Sequence, residues 1–114
     1  MTYQEVANML AEITLDGVNV PFAYLEFKEG EAVAPPFICY LYPQNTPESA
    51  DNVNYVKIEQ LAIEVYSDTK NFALEAEVER VLNKYELVYY REETFLDDEQ
   101  LQMVTYTTEV NING

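Results

Sequence analysis

The sequence contains no histidine, no tryptophan, a single cysteine at Cys39, and three glycines, at positions 17, 30 and 114. The absence of histidine removes the most frequent general base, the usual activator of Ser and Cys nucleophiles, and a common transition-metal ligand. One cysteine excludes an internal disulfide framework and a Cys/His zinc cluster. The glycines fit neither a dinucleotide-binding nor a phosphate-binding loop. We therefore expect a protein that is not an enzyme, with no catalytic residues, bound metal or cofactor.

Long hydrophobic runs are also missing, since no apolar stretch approaches the roughly 20 residues that span a bilayer. The first ten residues, MTYQEVANML, lack a basic region followed by an apolar segment, so we expect no signal peptide and synthesis in the cytoplasm. With 114 residues, of which 48% are hydrophobic, the chain has the size of one domain, and we expect a single domain over residues 1–114.

Basic residues are scarce: 6 Lys and Arg stand against 21 Asp and Glu, for a net charge of −15. Residues 1–54 carry eight acids and one base, and residues 55–114 carry thirteen acids and five bases, so the whole surface is acidic. Such a surface repels phosphate and disfavours direct nucleic-acid binding. It favours solubility, or a surface that passes near DNA without adhering to it, or one that mimics DNA.

Two helices are indicated. Thr2 and Glu5 fit a capping box and predict a helix that begins at Tyr3 and is stopped by Asp16-Gly17. Ser67 or Asp68 would cap a second helix, whose acidic residues Glu75, Glu77 and Glu79 are expected mainly on the solvated side. A helical apolar stripe on this second helix consists of Leu74, Val78, Val81, Leu82 and Tyr85.

Alternating or β-rich segments predict strands over residues 22–27, 37–42, 55–65, 86–95 and 100–112. Residues 28–31 have the chemistry of a hairpin turn between the first two strands. The predicted order is α-β-β-β-α-β-β, and short links favour antiparallel pairing. We expect a two-layer α+β domain with two helices on a mostly antiparallel sheet of about five strands.

The third predicted strand changes its apolar phase. Val56 and Ile58 share one parity, whereas Leu61, Ile63 and Val65 share the other. This predicts a β-bulge or a change of covered face near residues 59–60. The strand is also long enough to extend pairing into a neighbouring subunit. The candidate subunit interface consists of Tyr55, Val56, Lys57, Ile58 and Glu59.

The polar segment 43–54 is long for a loop in a compact domain. It is either an ordinary hairpin tip or an arm that contacts a partner. The candidate partner loop consists of Thr46, Pro47, Glu48, Ser49, Ala50 and Asp51.

Carboxylates cluster at residues 92–93 and 97–99, where they form either a solvated turn or a site for a hard cation such as Ca²⁺ or Mg²⁺. Cys39, between Ile38 and Tyr40, is expected to be buried and structural. The dispersed bases are expected to pair with acids of a neighbouring subunit.

Taken together, the opening MTYQEVANMLAEI, the aromatic segment FICYLYP and the stretch IEVYSDTKNFALEAEVERVL resemble small head–tail connector and tail-terminator proteins of long-tailed phages and prophages of Gram-positive bacteria. The resemblance covers essentially the whole chain. It implies a non-enzymatic subunit of a ring, typically a hexamer, that caps the tail tube. It implies the tail-tube protein and the head connector as partners, with no small-molecule substrate and no membrane. The location would be the host cytoplasm during assembly and the head–tail junction of the virion.

Within such a ring, an acidic lumen would let DNA pass without specific binding, and the candidate lumen acids are Asp97, Asp98 and Glu99. Two alternatives remain open at this point. One is an acidic inhibitor or another protein-binding module from a mobile element, and the other is an enzyme that uses a carboxylate-bound metal.

Overall fold

The structure, a computed structural model, describes residues 1–28, 30–31, 33–46 and 57–112. Two helices and a mixed sheet confirm the predicted α+β class. The predicted elements occur in the expected order, with three short strands in addition. The elements in chain order are α1 Tyr3–Leu10, β1 Thr14–Leu15, β2 Val18–Asn19, β3 Phe22–Tyr24, β4 Phe37–Leu41, β5 Asn45–Thr46, β6 Lys57–Ser67, α2 Phe72–Lys84, β7 Tyr89–Leu96 and β8 Leu101–Ile112.

The main sheet has the strand order β3-β4-β6-β8-β7, and β5 pairs with β6 beyond the end of β4. All pairs in this sheet are antiparallel except β3 and β4, which are parallel. The predicted hairpin between these two strands is therefore wrong. Leu25 ends β3 at a φ of 69°, and its N–H donates to the carbonyl of Tyr40 at 2.7 Å. The segment between β3 and β4 has the dozen residues that a parallel crossover needs.

The predicted irregularity near residues 59–60 does not lie in β6, whose pairing with β8 runs without a shift from Lys57 to Ser67. It lies in the neighbouring chain segment. Leu41 is opposite Ala62 and Asn45 is opposite Glu59, so the residues 42–44 face only the two residues 60–61. The extra residue lies in the segment 42–44 between β4 and β5. This segment contains Pro43, which has no N–H group to donate to a neighbouring strand.

Helix α1 begins as predicted. The Thr2 side chain accepts from the N–H of Glu5 at 3.0 Å, and the Glu5 carboxylate accepts from the N–H of Thr2 at 2.8 Å. The helix ends at Leu10, before the predicted Asp16-Gly17 stop. Asp16 and Gly17, with φ values of 54° and 79°, form the turn between β1 and β2. Asp-Gly is favoured there because a type I′ turn needs two positive φ angles.

Helix α2 is capped by Asn71, whose Oδ1 accepts from the N–H of Leu74 at 3.0 Å. The predicted caps Ser67 and Asp68 are wrong because β6 continues through Ser67.

The helices cover one face of the sheet and together with it enclose the core. In β8, the even-numbered residues from Val104 to Ile112 are buried, which is the two-residue period of a strand with one covered face. Tyr106 from this face donates to the Glu79 carboxylate of α2 at 2.7 Å. The predicted apolar stripe of α2 is confirmed. Four of its members are buried: Leu74, Val78, Val81 and Leu82. The fifth, Tyr85, is partly buried and packs against the core.

Candidate assembly surface

Strand β7 is an edge strand. It pairs with β8 along all eight residues, and no other strand in the described ranges 1–28, 30–31, 33–46 and 57–112 pairs with its second side. All six residues from 90 to 95 are exposed. Tyr90 is 79% exposed, Phe95 is 50% exposed, and Val88 just before the strand is 87% exposed. An edge of this length presents a row of unpaired N–H and C=O groups, which is a template for strand addition.

An ion-pair network anchors the helix-side face of β7 to α2. Arg91 lies opposite the buried Tyr106, which places its side chain on the helix side. The Nη2 atom of Arg91 lies 2.5 Å from a carboxylate oxygen of Glu75 and 2.5 Å from a carboxylate oxygen of Glu93. Lys70 contacts Glu75 at 2.8 Å and also pairs with Glu93.

The protonation equilibria reflect this network. Hydrogen bonds from Lys70 and Arg91 lower the pKa of Glu93. Hydrogen bonds to Glu75 and Glu93 raise the pKa of Arg91. The side chain of Glu75 is only 8% accessible, so its charge is held in a poorly hydrated place by two cations. Glu75 was expected on the solvated side of the helix, and this expectation is wrong because both cations reach it from outside α2.

The face of the sheet opposite the helices carries both apolar and polar side chains. The pairing registers align Leu41, Ala62, Thr107 and Tyr90 in one row across β4, β6, β8 and β7. A groove runs beside the β7 end of this row, and its lining includes Gln60, Leu87, Val88, Tyr90, Thr107 and Glu109. The exposed edge and this groove are contiguous, and we call them together the β7 edge surface. Enrichment in Tyr and apolar side chains is typical of the centre of protein interfaces.

The predicted interface at the start of the third predicted strand lies in a different place. Tyr55 and Val56 are outside the described residues. Lys57 is exposed, and Ile58 and Glu59 are half-buried. Strand β6 is the central strand, with β8 on one side and β4 and β5 on the other. Ile58 and Glu59 already lie between two strands, so these two residues cannot extend strand pairing into a neighbouring subunit. For Tyr55 and Val56 the expectation stays a prediction.

Only one residue of the candidate partner loop is among the described residues. Thr46 belongs to β5 and lies opposite Ile58. Its other members lie outside the described residues: Pro47, Glu48, Ser49, Ala50 and Asp51.

The candidate lumen acids Asp97, Asp98 and Glu99 share the exposed turn between β7 and β8. The carbonyl of Asp97 accepts from Nε2 of Gln100 at 2.6 Å. In the described part of the chain, no three His, Cys, Asp or Glu side chains converge to hold a metal ion. Cys39 is buried as predicted, and burial is the main reason that the pKa of its thiol is raised.

Sequence reasoning missed that the bases serve the subunit itself. Among the residues that the structure describes, four of the six bases are ion-paired within the chain: Lys70, Arg80, Lys84 and Arg91. A usable signal was the spacing of Arg91 and Glu93, because residues two apart on a strand share a face. The pairing with Glu75 could not be read from the sequence, since it depends on how α2 crosses the sheet.

No helix within the described ranges is both long enough and apolar enough to cross a membrane. No protein-family model, no curated protein and no solved structure matches this chain.

Proposed function

We propose that this chain is a structural protein of the head–tail junction of a long-tailed phage or prophage, and that it acts as a ring-forming tail terminator. Its partners are further copies of itself, the tail-tube protein and the head connector protein, and DNA passes through the ring without specific binding. The resemblance of residues 63–82 to such proteins motivates the proposal. The structural observation that supports it most is the edge of β7, which no other strand in the described part of the chain pairs with.

A ring needs contacts in which one surface of a subunit meets a different surface of the next. The β7 edge surface offers one of the two, because its backbone groups and exposed aromatic rings are available together. Self-pairing of two β7 edges would instead give a two-fold dimer. Glu92 and Glu93 disfavour that outcome, since an antiparallel pairing centred on them brings like charges opposite one another.

The acidic turn at residues 97–99 sits at one end of β7. If β7 forms the subunit boundary, each subunit contributes one copy of this turn, and all copies lie at the same level along the ring axis. Repeated carboxylates lining a lumen would repel DNA phosphates and reduce adhesion during DNA passage.

The proposal is tested by tail assembly with and without this chain. Tail-tube protein is polymerised alone and in the presence of the purified chain, and tube lengths are measured by negative-stain electron microscopy. We expect tubes of indefinite length alone, and shorter tubes closed by a ring when the chain is added. Unchanged tube lengths with no ring at the tube ends would contradict the proposal. Recovery of a host nuclease or polymerase with the purified chain would favour the acidic inhibitor instead.

A further inference from the structure

Four tyrosine rings and one carboxylate line a cleft at the other end of the sheet. The cleft lies between the start of α1 and the strands β3 and β4, with Glu59 of β6 at one side. We call it the tyrosine cleft, and its lining residues are Tyr3, Tyr24, Tyr40, Tyr42 and Glu59.

The rings contact each other in a continuous cluster. The centroids of Tyr3 and Tyr42 are 5.1 Å apart in an edge-to-face arrangement, and those of Tyr24 and Tyr40 are 5.2 Å apart in the same arrangement. Tyr24 and Tyr42 are stacked, with centroids 5.9 Å apart. The four rings therefore form one continuous aromatic wall of the cleft.

The polar groups of the cleft are acceptors or can become acceptors. The hydroxyl of Tyr3 donates to Oε2 of Glu59 at 2.5 Å, and among the described residues the second oxygen of this carboxylate is left for a ligand. The hydroxyl of Tyr42 is buried and has no hydrogen-bond partner among the described residues.

Aromatic faces around a carboxylate are the chemistry that recognises an organic cation. The chain itself supplies few candidates to fill the cleft. Residues 47–56, which connect β5 to β6, contain no lysine or arginine. A second copy of the chain is a weaker donor, because Lys70, Arg80, Lys84 and Arg91 are ion-paired among the described residues, so a self-contact would have to use Lys28 or Lys57.

We propose that the tyrosine cleft binds a lysine or arginine side chain of a different protein. The tyrosine rings contact the cation, and the Glu59 carboxylate neutralises it. This site is separate from the β7 edge surface and does not depend on ring formation.

The test titrates the protein with four probes: the N-acetyl amides of arginine, lysine and glutamine, and tetramethylammonium. Binding is followed by NMR through the ring signals of the cleft tyrosines. The variants are Glu59→Gln and Tyr24→Ala, since Tyr24 is half exposed and its removal spares the core. The matched controls are Glu92→Gln and Tyr90→Ala, which remove the same groups from the β7 edge.

We expect saturable binding of the arginine and lysine amides, no binding of the glutamine amide, and at least fivefold weaker binding in both cleft variants. Both controls should bind as the native chain does. Equal weakening in Glu92→Gln would show only the attraction of an acidic protein for cations and would overturn the proposal. So would the absence of saturation, or binding of tetramethylammonium without binding of either amino-acid amide, which would indicate a quaternary ammonium ligand instead.

Discussion

The two edges of the sheet are built differently. Strand β3 is three residues long and ends at Leu25, whose positive φ turns the chain away. Strand β7 is eight residues long, antiparallel to its neighbour and exposed over its central residues. Short edge strands are a common protection against unwanted pairing, whereas a long open edge invites it. We propose on this basis that strand addition uses β7, whereas the β3 side borders the tyrosine cleft.

We expect the largest effect on assembly from a positive charge introduced on the exposed edge strand β7. Tyr90→Lys places a cation where an interface would bury an aromatic ring, so we expect the subunit concentration needed for assembly to rise at least a hundredfold. Val18→Lys is the control, because Val18 is 68% exposed on β2, which belongs to the separate two-stranded sheet. Native mass spectrometry over a concentration series measures the effect. Equal losses in the two variants would remove the distinction between the edge and the rest of the surface.

The anchoring of β7 to α2 can be tested separately from assembly. Arg91→Met leaves the poorly accessible Glu75 with Lys70 as its remaining cation, so the free energy of unfolding should fall by about 1–3 kcal/mol. The control Arg80→Met removes a surface pair with Glu77 and should cost about 0–1 kcal/mol. Urea denaturation of the monomer measures both. A smaller loss for Arg91→Met than for Arg80→Met would contradict the anchoring role.

Removal of two tyrosine hydroxyls, one near each edge of the sheet, should change the stability of the fold by different amounts. Tyr106→Phe removes a donor to Glu79 and should destabilise the fold by about 1–2 kcal/mol. Tyr42→Phe removes a hydroxyl that has no partner in the described part of the chain, so the change should be about 0–0.5 kcal/mol in either direction. Thermal unfolding at pH 7 measures both. A loss for Tyr42→Phe as large as that for Tyr106→Phe would mean that this hydroxyl is already satisfied in the free protein.

The smallest effect concerns pH. Because Lys70 and Arg91 lower the pKa of Glu93 in the folded state, its ionised form stabilises the fold above the unfolded pKa of about 4.3, and this contribution disappears as pH falls through the folded value. The melting temperature of Glu93→Gln should therefore lie below that of the native chain above pH 5 and converge with it at lower pH. Glu92→Gln, on the other face of the same strand, is the control. A gap for Glu93→Gln that persists below pH 3 would contradict this assignment.

Local sequence signals correctly predicted the fold class, the capping box at Thr2 and Glu5, and the buried stripe of α2. Each of these depends on residues within one turn or one strand. The parallel pairing of β3 and β4 depends on a crossover whose direction has no local signature. The phase change in β6 was a real signal, but the extra residue belongs to the neighbouring segment, which only the pairing register reveals.

The candidate site was less accessible to sequence reasoning. A long strand was expected to be the assembly element, yet β6 is long because it is the central strand. The acidic, tyrosine-containing β7 looked like an ordinary strand, and its place at the edge follows from strand order. The tyrosine cleft likewise combines residues from α1, β3, β4 and β6 that no motif joins.

The central claim is that assembly uses the β7 edge, and amide hydrogen exchange tests it most directly. Exchange is compared, residue by residue, between the dilute monomer and the protein assembled with tail tubes. The outward N–H groups of β7, at alternate residues between 89 and 96, should gain protection on assembly, while those of β3 should not. Protection gained only at residues 22–24, or at 57–59 of the central strand, with none in β7, would contradict the claim.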